Sequence, residues 1–183
     1  MLYTGLTKIT DNENVLKYEP LSKHCTFRIG GTCDYVVTPK SSQELIEVLK
    51  LLKEENIPFS VIGNGSNILF SDEHHNGVII KTTKLNSITV SDTEITAEAG
   101  ATLIRVCNIA MENELSGMER ISGIPGTLGG AVYMNAGAYD GEIADVCIKT
   151  FYLDENFNIC EIEGNEHEFS YRHSFFTDKN YII

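Results

Sequence analysis

The chain has 183 residues, enough for one domain or two small lobes around a real core. Its composition is that of an ordinary globular protein, 42% hydrophobic, and acids outnumber bases 26 to 14 for a net charge of −12. That balance argues against nucleic-acid backbones and anionic membranes as partners. Segment 1–19 lacks an apolar core of signal-peptide length, and no later run is long enough to span a bilayer. Cys25, Cys33, Cys107, Cys147 and Cys160 are odd in number and form no C-x-x-C pair, which reads as reduced thiols in a cytoplasmic protein rather than disulfides or metal ligands.

In chain order, Tyr35-Val36-Val37-Thr38 reads as a short strand. Ser41 with Glu44 three residues on is a capping box. Leu45, Ile46, Val48, Leu49 and Leu52 follow at helical spacing, and Asn56-Ile57-Pro58 ends that helix. The apolar run 59–62 predicts a buried strand broken by Gly63, with further strands over 78–80, 88–90 and 94–98. A second amphipathic helix starts near Thr102, uses Leu103, Val106, Cys107, Ala110 and Met111, and stops before Ser116-Gly117. Segments 146–153 and 158–162 predict a hairpin around Asp154-Glu155-Asn156. The pattern is α+β, in two lobes divided within 81–86 and assigned as 1–84 and 85–183. No internal repeat is present.

Two glycine-rich stretches carry most of the functional signal. Segment 122–138 holds five glycines and a proline with almost no charge, so its polarity is mostly backbone. Glycine reaches positive φ and admits a ligand where a Cβ would clash, and Pro125 stiffens the bend. Gly126-Thr127-Leu128-Gly129-Gly130 offers several N–H groups that could converge on an anion. The second stretch, Gly63-Asn64-Gly65-Ser66-Asn67, follows an apolar strand directly and would suit a diphosphate. The same residues read as a hairpin turn, since Asn-Gly is the strongest short hairpin signal. They match neither G-x-G-x-x-G nor a Walker A loop. Two such loops, one per lobe, point toward a cofactor between them.

Phe169-Ser170-Tyr171-Arg172-His173-Ser174-Phe175-Phe176 sets an arginine among aromatics. Such an arginine suits bidentate capture of a carboxylate or phosphate, and the plain alternative is a stem packed on a ring at the surface. His173 reads as solvated. His74-His75 after Ser71-Asp72-Glu73 reads as a polar loop rather than a metal site, because adjacent histidines point apart.

Taken together, Pro20-Leu21-Ser22-Lys23-His24-Cys25-Thr26-Phe27-Arg28-Ile29-Gly30-Gly31, the 63–67 loop, segment 122–138 and Tyr171-Arg172-x-Ser174-x-Phe176 resemble, in order and spacing over essentially the whole chain, the MurB family of UDP-N-acetylenolpyruvoylglucosamine reductases. The resemblance implies the two-lobed FAD-binding fold of the vanillyl-alcohol oxidase and p-cresol methylhydroxylase type, with non-covalent FAD between the lobes. It implies NADPH as hydride donor, a UDP-sugar substrate reduced from enolpyruvate to UDP-N-acetylmuramate in peptidoglycan synthesis, and no obligate protein partner. By the family pattern, Gly63, Asn64, Gly65, Ser66 and Asn67 hold the FAD diphosphate. Gly123, Ile124, Pro125, Gly126, Thr127, Gly129 and Gly130 line the diphosphate and ribityl region, and Asn135, Ala136, Gly137 and Ala138 lie close to the flavin ring. Arg172 binds the substrate carboxylate and stabilises enolate charge, with Tyr171 beside it. Family chains continue into a third domain that supplies the proton-donating serine, a catalytic glutamate and most sugar contacts, whereas this sequence stops at Lys179-Asn180-Tyr181-Ile182-Ile183, where 181–183 resemble the opening of a strand. Ser174 belongs to the arginine motif and is not that donor. The alternatives are an FAD-binding portion without turnover, and a different FAD oxidoreductase of the same fold acting on a hydroxy acid or alcohol. The Tyr-Arg-x-Ser-x-Phe motif separates the last from the first.

Overall fold

The computed structural model describes residues 1–179 and 181–183, and the chain falls into two compact units, Met1–Leu85 and Asn86–Ile183. In the first, a four-stranded sheet is ordered β1 (Val15–Pro20), β2 (Thr32–Val37), β4 (His75–Lys81), β3 (Phe59–Ile62). The β1–β2 pair is antiparallel, and β4 runs parallel to both β2 and β3. Val36, Val37, Val78, Ile79 and Ile80 are all buried, as expected of strands covered on both sides. Leu21, Cys33, Val36, Ile62 and Ile79 form one apolar cluster, against which Ile68 and Phe70 pack.

Helix α2 (Ser42–Glu54) begins where the sequence places it. Ser41 is the N-cap and its hydroxyl accepts the Glu44 N–H at 3.1 Å. The Glu44 carboxylate reaches back to the Lys40 N–H rather than to Ser41, so the box is shifted by one residue on its return side. The helix ends in a Schellman motif: Asn56 takes φ +54, and the Ile57 N–H bonds the Leu52 carbonyl at 2.9 Å. Its apolar stripe of Leu45, Ile46, Val48, Leu49 and Leu52 is buried. Helix α1 (Leu2–Ile9) precedes the sheet and approaches α2 at Gly5, where a Cβ would lie 2.9 Å from Leu51 Cδ2.

The second unit contains the hairpin β5–β6 (Ile88–Ser91, Glu94–Ala97), helices α3 (Leu103–Glu112) and α4 (Leu128–Tyr133), the short pair β7–β8 (Gly137–Ala138, Gly141–Glu142), and the hairpin β9–β10 (Lys149–Leu153, Ile159–Glu163). Its core joins Leu103, Cys107, Ile121, Ala131, Val132, Ala136, Ile143, Ile162 and Phe176. Asp154 closes β9–β10, its carboxylate accepting the N–H groups of Asn156 and Asn158 at 2.8 Å each. Ile182 pairs with Leu153 through N–H to carbonyl bonds of 2.7 and 3.1 Å, so the strand-like 181–183 segment adds to this hairpin, while Asn180 lies outside the described residues. Fully buried His167 ties the hairpin to the segment after it. Its Nδ1–H donates to the Gly164 carbonyl at 2.9 Å and its Nε2 meets the Thr150 hydroxyl at 2.8 Å.

The sequence expectations need three corrections here. Helix α1 and strand β1 were not anticipated. Segment 122–138 is not loop throughout, because 128–133 is helical. The hairpin reading of 63–67 fails, because β3 and β4 on either side of the loop run parallel.

Candidate functional site

Loop 63–67 leaves β3 at its carboxyl end, opposite the last residue of the parallel neighbour β4. In open parallel sheets this is the end where ligands bind. Gly65 sits at φ +70, and a Cβ there would stand 2.0 Å from the His24 carbonyl oxygen and 2.8 Å from the Cys25 Cα. The Thr26 N–H donates to the Gly65 carbonyl at 3.0 Å. Gly65 is therefore glycine because the chain at 24–26 presses on it, and the two segments form one layer. Gly63, Asn64 and Ser66 are half-buried and Asn67 is exposed.

The 24–31 segment is held in turn by its glycines. A Cβ at Gly31 would collide with the Glu73 and Asp72 carbonyl oxygens at 2.3 and 2.5 Å. His74 of that loop serves the fold: its Nδ1 meets the Thr32 hydroxyl at 2.8 Å and its Nε2 meets Asp34 at 3.0 Å. Among the described residues there is no group of three His, Cys, Asp or Glu side chains fit to hold a metal ion.

In the second unit the expected anion nest is partly consumed by the fold. The Leu128 and Gly129 N–H groups donate to the carbonyls of Ala101 and Ala99, each at 2.8 Å, and the Leu103 N–H donates to Gly126 at 3.0 Å. Gly129 is buried against Ala99, whose Cβ would lie 2.7 Å from an added Cβ, so close packing explains that glycine. The N–H groups of Gly126, Thr127 and Gly130 are not part of these contacts. Gly126 holds φ +142. Gly123 is exposed and an added Cβ would meet nothing within 4 Å. Ile124 packs on the core, while Pro125 is exposed. The open side of this segment thus consists of Gly123, Pro125 and Gly130.

Asn135 is 1% exposed and sits at φ +45 as the left-handed residue that ends α4. The Ala136 N–H bonds the Ala131 carbonyl at 2.8 Å to complete a second Schellman motif. The Asn135 amide then crosses to two other segments: its Nδ2 donates to the Ser170 carbonyl and its Oδ1 accepts the Ala144 N–H, both at 3.0 Å. Ala136 is buried and its carbonyl accepts the Ile143 N–H at 3.0 Å. The Gly137 carbonyl accepts from Arg172 Nη2 at 2.9 Å.

Arg172 occupies the tip of a tight hairpin. Ser170 and His173 exchange both backbone hydrogen bonds at 3.1 Å, leaving Tyr171 and Arg172 as the exposed pair between them. Arg172 takes φ +54, an uncommon conformation for a long side chain and one that clusters at ligand sites. Its guanidinium lies 5.5 Å from the Tyr171 ring centre. Ser174, by contrast, is fully buried; its hydroxyl donates to the Tyr133 carbonyl at 2.5 Å, so it anchors the hairpin. His173 is paired with Asp178 at 2.9 Å, and that hydrogen bond raises its pKa. The structure brings Asn135, Gly137, Tyr171 and Arg172 into one cluster.

The sequence candidates omit Lys81 and leave His24 without a role, although both adjoin the 63–67 loop. Lys81 ends β4 opposite Ile62, and its ammonium meets His24 Nδ1 at 3.2 Å. The signal is the register, which the sequence does not display. Burial lowers the pKa of both groups, and the Lys81 charge lowers that of His24 further.

The sequence pattern of the family described as FAD binding domain matches residues 33–157. The chain is 44% identical over all 183 residues to a UDP-N-acetylenolpyruvoylglucosamine reductase of Caldanaerobacter subterraneus subsp. tengcongensis, covering 61% of that relative. It is 49% identical over 168 residues to the enzyme of the same name from Caldicellulosiruptor bescii, covering 92% of this chain and 54% of the relative. The chain thus spans about three fifths of the length of the curated relatives it matches. Among solved structures, the UDP-N-acetylenolpyruvylglucosamine reductase (MurB) of Thermus caldophilus superposes with a TM-score of 0.72 at 30% identity, covering 85% of this chain and 55% of that one. The p-cresol methylhydroxylase structure superposes at 0.67 and 18% identity over 100% of this chain and 41% of that one, which identifies the fold alone.

Proposed function

Because the chain belongs to the FAD binding domain family, we propose that it holds FAD without a covalent link and serves an NADPH-dependent reduction of the enolpyruvyl ether of a UDP-N-acetylglucosamine to UDP-N-acetylmuramate. Arg172 carries the substrate part of this reading: an exposed arginine held at φ +54 on a two-residue tip, with one of its donors fixed by the Gly137 carbonyl. Bound FAD would supply hydride transfer, and the two glycine-rich segments and the Arg172 hairpin are the parts of this chain that would position it.

The residues fit the cofactor. In the first unit, loop 63–67 leaves a parallel strand at its carboxyl end, with a half-buried ammonium at the neighbouring strand end. In the second, Gly123 and Gly130 leave the backbone uncovered, and the Gly126, Thr127 and Gly130 N–H groups lie outside the contacts made to 99–103. Loop 63–67 would take the diphosphate, and Gly123, Pro125, Gly126, Thr127 and Gly130 would line the ribityl chain. Asn135 and Gly137 serve by holding the Arg172 hairpin. The Arg172 guanidinium binds the substrate carboxylate bidentately. Hydride addition to the enolpyruvyl group builds negative charge on the carbon that bears this carboxylate, and a fixed cation strengthens its hold as the charge grows.

Visible absorption of the purified chain, with calorimetric titration of FAD, tests the cofactor. Flavin bands that leave the protein on acid denaturation are expected; a colourless chain with no heat of FAD binding would overturn the reading. NADPH oxidation that requires the enolpyruvyl sugar supports the reductase assignment, and oxidation supported by a simple hydroxy acid or alcohol instead would replace it. FAD held without turnover would make the chain an FAD-binding portion.

A further inference from the structure

The first unit holds a cation that its own fold leaves without a counter-charge. Lys81 is half-buried, and burial alone accounts for the downward pull on its pKa. Among the described residues no carboxylate lies within ion-pair distance of it, although the chain carries twelve more acids than bases. A buried charge of this kind is costly unless an anion joins it.

Its polar contact is His24, and the network fixes how that ring is used. Glu19 accepts from His24 Nε2 at 3.2 Å and also pairs with Lys23 at 3.3 Å. With its proton on Nε2, the ring presents an Nδ1 lone pair to the Lys81 ammonium at 3.2 Å. Glu19 therefore orients His24, and His24 aims Lys81, without neutralising it. This chain of contacts flanks the strand end that leads into the 63–67 loop and touches the loop at Gly65. Lys81 stands opposite Ile62, the residue before Gly63, and the His24 carbonyl touches the position where Gly65 would carry a Cβ.

We propose that Lys81, aimed by His24 and Glu19, is the counter-charge for a dinucleotide diphosphate seated on loop 63–67. This rests on the FAD reading of that loop and adds a residue to it. Backbone N–H groups supply direction for a diphosphate, while the ammonium supplies the full charge that a loop without basic residues lacks. A neutral His24 leaves the ammonium's remaining protons for the ligand.

The test is FAD affinity by flavin fluorescence titration across a series of NaCl concentrations, for wild type, Lys81→Met and Lys81→Arg. Lys81→Met should weaken FAD binding by about ten- to a hundredfold, the loss expected for one charge-assisted contact, and should flatten its salt dependence. Lys81→Arg should keep most of both. Lys81→Gln replaces Lys81→Met if the latter does not fold, as judged by circular dichroism. Unchanged FAD affinity, or a loss that keeps the wild-type salt dependence, would overturn the proposal and leave Lys81 a structural residue. ADP by calorimetry separates the two readings. Wild-type protein that binds ADP in a Lys81-dependent way but not FAD would overturn only the FAD assignment, and protein that binds neither would overturn both.

Discussion

Replacing Gly65 by alanine should unfold the first unit's loop layer before it affects any chemistry. The new Cβ would lie 2.0 Å from the His24 carbonyl oxygen and 2.8 Å from the Cys25 Cα, so segment 24–25 would have to retreat by about 1.4 Å to reach the 3.4 Å at which ordinary contact begins. That segment is tied by the His24 N–H to the Leu21 carbonyl at 2.8 Å and by the Thr26 N–H to the Gly65 carbonyl at 3.0 Å, so retreat breaks at least one bond. Overpacking costs about 1–3 kcal/mol, the lost bond about 1, and alanine at φ +70 about 1 more, a total of roughly 3–5 kcal/mol. Without FAD, the thermal midpoint read by circular dichroism should fall by about 10 °C or more. A Gly65→Ala protein melting within about 2 °C of wild type would refute the packing argument. Any loss of FAD in this variant follows from the fold, so Gly123→Ala is the cleaner probe of the cofactor. Its Cβ meets nothing within 4 Å and its φ lies outside the left-handed range, so apo stability should hold while FAD affinity falls.

Asn135→Ala removes two side-chain hydrogen bonds and puts alanine at φ +45, for a loss of about 2–4 kcal/mol, whereas Asn135→Gly keeps the left-handed cap and should recover about 1 of these. Thermal melts that rank alanine at or above glycine would show that the cap is not the reason for asparagine. For pH, burial first and Lys81 second depress the His24 pKa in the fold, so the unfolded chain takes the proton first. The His24 contribution should be complete above the ordinary value of about 6.5 and be lost as pH falls below it. Urea midpoints of wild type against His24→Gln between neutral and mildly acidic pH measure it, and a difference that is constant with pH would contradict the sign. Half-buried His173, raised by its Asp178 hydrogen bond, works in the opposite direction and is common to both proteins.

Where local chemistry decides an element, the sequence displays it. Ser41 caps α2 and Asn56 closes it, and Asp154 folds the β9–β10 turn with its own carboxylate. What escaped depends on residues far along the chain. Helix α1 carries Gly5 at its centre, a poor helix residue until the approach of Leu51 is known. Helix α4 starts at Leu128-Gly129-Gly130, equally poor, and forms because the carbonyls of Ala99 and Ala101 receive its first N–H groups. The glycines of the candidate site looked alike in sequence. In space Gly65 and Gly129 answer to the chain itself, and Gly123 to open space. Asn135, a flavin neighbour by the family pattern, is also a helix cap and a brace, through bonds to Ser170 and Ala144 that the sequence does not display. Lys81 drew no notice because only the parallel register of β3 and β4 sets it beside the loop.

Bound flavin decides the role of both glycine-rich segments. Purified chain titrated with FAD and followed by its visible spectrum should take up one FAD per chain, in both native bands and calorimetric heat, and release it intact on denaturation. A folded chain that stays colourless in excess FAD and gives no heat would contradict the assignment of both glycine-rich segments.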